Sequence, residues 1–69
     1  MSLERLDKLA LLTPRELEIF RLLLKGHTLK EISSILNIGY FTVNDHYKKI
    51  YEKLGVKRRA ELLIKYEKD

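Results

Sequence analysis

A chain of 69 residues, 45% apolar, 35% charged and without cysteine, is bounded to one small domain held by packing, with neither disulfides nor a thiolate zinc site. No apolar run approaches the roughly 18 residues that span a bilayer, and Glu4, Arg5, Asp7 and Lys8 interrupt the N-terminal leucines, unlike a secretory signal. A soluble, non-exported, cytoplasmic protein is expected, with no membrane partner. The net charge of +4 is concentrated: residues 40–59 hold six basic and two acidic side chains, while the rest of the chain is balanced. Such a stretch suits either a phosphate-binding footprint or a solvated basic surface.

In chain order, residues 1–11 form a linker or a short extra helix, with Leu3, Leu6 and Ala10 helically spaced but no strong cap. A domain of residues 12–69 follows. Thr13 suits the N-cap of a first helix, Pro14 its first position, and Glu16 the return arm of a capping box. The helix should span 14–25, with Leu17, Phe20 and Leu24 along one stripe, Ile19 and Leu23 widening it, and Gly26 ending it in the left-handed conformation. Thr28 and Glu31 repeat the capping box for a second helix, Leu29–Leu36, whose apolar positions are Leu29, Ile32, Ile35 and Leu36. Asn37 tolerates positive φ and can stop it.

Only Asn37, Ile38 and Gly39 precede the next helical pattern, Tyr40–Leu54. A turn that short makes consecutive helices cross steeply, which is the geometry of a helix-turn-helix. Val43, Tyr47, Ile50 and Leu54 form the core stripe of the third helix. Phe41, Asp45, Lys48, Lys49 and Glu52 fall on the opposite face, with Asn44 on its flank. Gly55 ends this helix, and Val56 closes the cap. A fourth helix, 59–67, follows Lys57 and Arg58. Its Ala60, Leu63 and Ile64 are assigned to the core, leaving Leu62 and Tyr66 on the opposite side as a self-complementary patch for a weak dimer. The fold class is thus all-α, a four-helix helix-turn-helix domain.

A helix presented by a rigid partner fits the major groove of double-stranded DNA, where base edges are distinguishable. Thr42 and Asn44 near the start of the third helix, and Lys48 and Lys49 one turn on, supply the short polar and basic groups this requires. Thr28 and Lys30 on the second helix, with Lys49, Lys57 and Arg58, are candidates for the DNA backbone. Phe41 either packs under the turn or touches a thymine methyl group. Asp45 opposes phosphate unless it accepts from cytosine N4 or pairs with Lys48 or Lys49. His27 and His46 have no nearby ligand set, so no metal or cofactor is expected. Nucleophile, oxyanion and phosphate-loop patterns do not occur, so the chain is not read as an enzyme.

Leu12, Thr13, Pro14, Arg15 and Glu16, then Lys25-Gly26, Lys30-Glu31-Ile32, Thr42-Val43, His46, and Lys53-Leu54-Gly55-Val56, resemble the LuxR-type helix-turn-helix family, the GerE/FixJ/NarL-like output domains, over about residues 12 to 64. The resemblance implies a four-helix transcriptional regulator, or the response-regulator type of output domain, that binds DNA as a dimer. A covalently attached N-terminal sensor or receiver domain and RNA polymerase are the further partners it suggests. It also implies base-edge contacts from Asn44, Asp45 and Lys48, backbone contacts from Thr42 and His46, and dimerisation through the last helix. The chain departs from the family where Gly39 and Arg58 replace capping residues, and where Phe41, Asn44 and Asp45 replace commonly basic or neutral polar ones. The alternative is a helical protein-interaction module that keeps the fold without specific DNA binding.

Overall fold

The computed structural model describes residues 8–66. Four helices lie wholly within them: α1 (Pro14–Leu24), α2 (Leu29–Leu36), α3 (Tyr40–Leu54) and α4 (Arg59–Tyr66), with no strand among the described residues. Of the segment expected to be a linker or short helix, residues 1–7 lie outside the described range. Its end turns tightly, with Leu11 N–H donating to the Lys8 carbonyl (3.0 Å) and Leu12 N–H to that of Leu9 (3.1 Å).

Local chemistry sets the helix ends. Both expected capping boxes are closed: Thr13 Oγ1 accepts from Glu16 N–H (3.1 Å) while Glu16 Oε1 accepts from Thr13 N–H (3.0 Å). Thr28 and Glu31 repeat the exchange at 3.1 and 2.9 Å. Two orphan amides are satisfied at each helix start, an arrangement whose loss costs about 1 kcal/mol. At the other end of α3, Gly55 sits at φ 69°, where a side chain would be strained, and Val56 N–H reaches back to the Tyr51 carbonyl (3.1 Å).

The helices meet around Ile19 and Leu23 of α1, Ile32 of α2, Val43, Ile50 and Leu54 of α3, and Leu62 of α4, all fully buried. Burying each such side chain stabilises by about 1.5–3 kcal/mol. α1 and α2 both pack on α3, which is therefore held from two sides. The stripe on α3 runs as expected, except that Tyr51 is buried while Tyr47 is half-buried. On α1 Phe20 is buried as expected, together with Ile19 and Leu23, whereas Leu17 and Leu24 of the expected stripe are only half-buried. Ile35, expected in the core, is 51% exposed, because eight-residue α2 offers only one side to α3.

The orientation of α4 corrects the sequence reading. Leu62 and Tyr66, expected outside as the dimer patch, are buried, whereas Ile64 is 78% exposed and Ala60 is also exposed. Two long-range contacts turn the helix this way. Tyr66 meets the Phe20 ring edge-on, with centroids 5.4 Å apart and planes at 86°. Arg59 spans the gap to α1, its guanidinium donating to the Leu23 carbonyl (2.9 Å) and to the carbonyl of His27. These bonds tie the start of α4 to the end of α1 and to the turn that follows it. With those anchors in place, the side of α4 bearing Leu62 and Tyr66 faces α1, and those two residues cannot form an external patch.

Candidate nucleic-acid interface

The turn before α3 is locked by side-chain and backbone bonds. Asn37 adopts the left-handed conformation (φ 55°, ψ 48°), which its short polar side chain tolerates. Ile38 N–H donates to the Ser33 carbonyl (3.1 Å), and the Ser33 hydroxyl donates to the Ile38 carbonyl (2.6 Å). Ser33 thus fixes the chain just where it leaves α2, and α3 is presented at a set angle. Gly39 occupies the N-cap with no side-chain hydrogen bond, and no acid stands in the first turn of α3. That end of the helix keeps its unpaired amides and the positive end of its dipole, both favourable to an approaching anion.

Val43, Ile50 and Leu54 face inward, so the outer side of α3 is fixed by default. Phe41, Thr42, Asp45, Lys48, Lys49 and Glu52 are exposed on it, and Asn44 and His46 are half-buried along its flanks. Thr42, Asn44, Asp45, Lys48 and Lys49 therefore lie on the first three turns of one helix. Asp45 pairs with Lys49 (3.2 Å) across one turn. Its charge is thus offset locally by one of the two lysines that the sequence offered as partners.

The remaining candidates sit on neighbouring elements. Thr28 and Lys30 are exposed at the start of α2, although the Thr28 oxygen already serves its cap. Lys57 and Arg58 are exposed in the link to α4, and their amides both donate to Glu61 Oε1, at 2.8 and 3.2 Å. Those bonds, the one from Lys57 first, hold the Glu61 carboxyl below its usual range despite some desolvation. The His46 ring is half-buried, its Nδ1 buried without a hydrogen-bond partner. Leu62 and Tyr66 do not belong to this surface, being in the core.

Three functional supports escaped the sequence reading. Lys53 Nζ donates to Glu16 Oε1 at 2.7 Å, tying the outer end of α3 to the start of α1. Burial would push the Glu16 carboxyl up, but the Lys53 hydrogen bond, the Thr13 amide and the charges of Lys53 and His46 together hold it below its ordinary value. Arg59 and Glu61 are the others. Glu61 carried a signal, since it stands three residues after Arg58, the return-arm spacing of a capping box. Arg59 and Lys53 carried none, because their partners lie more than 30 residues away.

The sequence profile of the GerE family, described as bacterial regulatory proteins of the luxR family, matches residues 10–66. The chain belongs to the luxR family. Among curated relatives it is 46% identical over 54 residues to the spore germination protein GerE of Bacillus subtilis (strain 168), covering 78% of this chain and 73% of that protein. It is 42% identical over 60 residues to the transcriptional regulatory protein TdiR of Thauera aromatica, covering 87% and 26%. With the nitrate/nitrite response regulator protein NarP of Escherichia coli (strain K12) it shares 38% over 58 residues, covering 84% and 27%. The chain thus spans most of GerE but only about a quarter of TdiR and NarP. No solved structure matches at a significant level. A luxR-family domain is the DNA-binding unit of a transcriptional regulator, and this chain is one. None of the helices of the described residues is long and apolar enough to cross a membrane.

Proposed function

We propose that residues 12–69 bind double-stranded DNA by laying α3 in the major groove, with Asn44, Asp45 and Lys48 at base edges. Thr42, His46 and Lys49 would hold the adjoining phosphates, with Thr28 and Lys30 of α2 and Lys57 and Arg58 of the following link extending the backbone contacts. The observation that carries this reading is the locked Asn37–Gly39 turn, which presents a polar and basic face on the second helix of a tight pair. Asp45, held by Lys49, would release that lysine or accept from cytosine, and either choice is local to one turn.

The domain acts by binding, with no catalytic step or cofactor, in the cytoplasm. It serves as the output unit of a regulator whose sensor or receiver domain precedes it, and RNA polymerase is the downstream partner. Two copies bind paired half-sites, since one recognition helix reads too few base pairs for a sharp preference. The surface available for that pairing is the exposed side of α4 around Ile64, not Leu62 or Tyr66. Selection of binding sites from random duplexes at two salt concentrations tests the whole reading. A reproducible consensus, with affinity falling steeply as salt rises, is expected. Enrichment of no sequence at either salt would refute it.

A further inference from the structure

Phe41 is 87% exposed, an unusual position for a phenyl ring when most of the large apolar residues of this domain are in the core. It lies in the first turn of α3, three and four residues before Asn44 and Asp45 and seven before Lys48, so it shares their face. Its ring meets Tyr40 edge-on, with centroids 6.3 Å apart and planes at 78°. It therefore projects outward beside an aromatic neighbour and does not fold under the turn.

We propose that Phe41 is a specificity-determining residue that reads the 5-methyl group of thymine in the major groove. A phenyl ring has no donor or acceptor, so at a base edge it can score only apolar contact, and the thymine methyl is the apolar group that edge presents. The first turns of a recognition helix are where base edges come within reach. The surroundings of the ring also choose the occupant. Asn44, Lys48 and the Asp45–Lys49 pair frame it with polar and cationic groups, which suits a phosphate-walled groove rather than the apolar pocket of a protein partner. This inference rests on the DNA-binding reading and adds a residue to it.

The test starts from the duplex that the wild-type domain selects. Each thymine is replaced singly by deoxyuridine, which keeps the pairing edge and removes only the methyl group. At one or two positions wild type should weaken about fourfold, the worth of one buried methyl. Phe41→Ala should bind the parent duplex less tightly and be indifferent to uracil at those positions, while Phe41→Leu keeps part of the response. Circular dichroism and thermal melting should be unchanged, since the ring is outside the core. Equal losses for wild type and Phe41→Ala at every uracil, or no loss anywhere, would overturn the proposal while both proteins still prefer the selected duplex to random DNA. Loss of cooperativity on paired half-sites with unaltered uracil responses would also overturn it, assigning the ring to a second copy of the chain. If wild type shows no preference for any duplex, the DNA-binding reading itself fails, and that is visible before any variant is made.

Discussion

Asn44 and Lys48 are short and long arms on the same face, and they suit different bases. An asparagine amide can bond adenine N6 and N7 together, whereas a lysine ammonium suits guanine O6 and N7. Asn44→Ala and Lys48→Ala should each cost about 1–3 kcal/mol at the selected site and relax preference at one base pair. Competition between selected and random duplexes checks this, and an unchanged ratio for both variants would move the reading face elsewhere. Glu16 works at the other end of α3. Its carboxyl is held below its ordinary 4.5 in the folded state, so its contribution to stability is complete above that value and is lost as pH falls through the lowered one. Denaturant melts across the acid range should therefore show a limb that flattens in Glu16→Gln. Glu16→Ala should destabilise by about 2 kcal/mol at neutral pH, since it removes a cap arm and strands the Lys53 charge.

Between the last two helices, the link from α3 to α4 carries two exposed cations that the proposed function assigns to phosphate. Lys57 and Arg58 have their backbone amides tied to Glu61 while their side chains stay exposed. Replacing both by alanine should weaken all duplexes alike and flatten the slope of log affinity against log salt by roughly two units. Titrations at several salt concentrations decide it, and an unaltered slope would remove the link from the interface. Helix starts and stops were legible in the sequence because they are written locally: Thr13 with Glu16, Thr28 with Glu31, Asn37 and Gly55 each act within a few residues. The outer face of α3 was legible too, since fifteen residues give a clear stripe. The rotation of α4 was not. Leu62 with Tyr66, Leu63 and Ile64 spread over more than half the circumference of a helix of eight residues, and the choice among its sides is made by Phe20, Leu23 and His27, far back in the chain.

Taken as a whole, the domain has its proposed DNA-facing side on α3 and an exposed apolar side chain, Ile64, on α4, on separate helices. A dimer built through the exposed side of α4 would leave both recognition helices open, and two half-sites on a two-fold axis would double the length of DNA read. Ile64→Glu should leave folding intact and abolish cooperative binding to a paired site, while Leu62→Glu, at a fully buried position, should unfold the domain. Sedimentation with the paired duplex, alongside melting curves, separates the two outcomes. Cooperative binding by a folded Ile64→Glu would place the partner surface elsewhere. The bare N-cap at Gly39 has a dynamic consequence of its own. The Thr42 amide lacks the hydroxyl acceptor that the amides of Glu16 and Glu31 enjoy at the equivalent places in α1 and α2. In the free protein it should trade its hydrogen for solvent deuterium faster than either of them, and a phosphate seated at that helix end would slow it selectively. Its exchange rate is a clock for docking, carried by the backbone and indifferent to which bases are read.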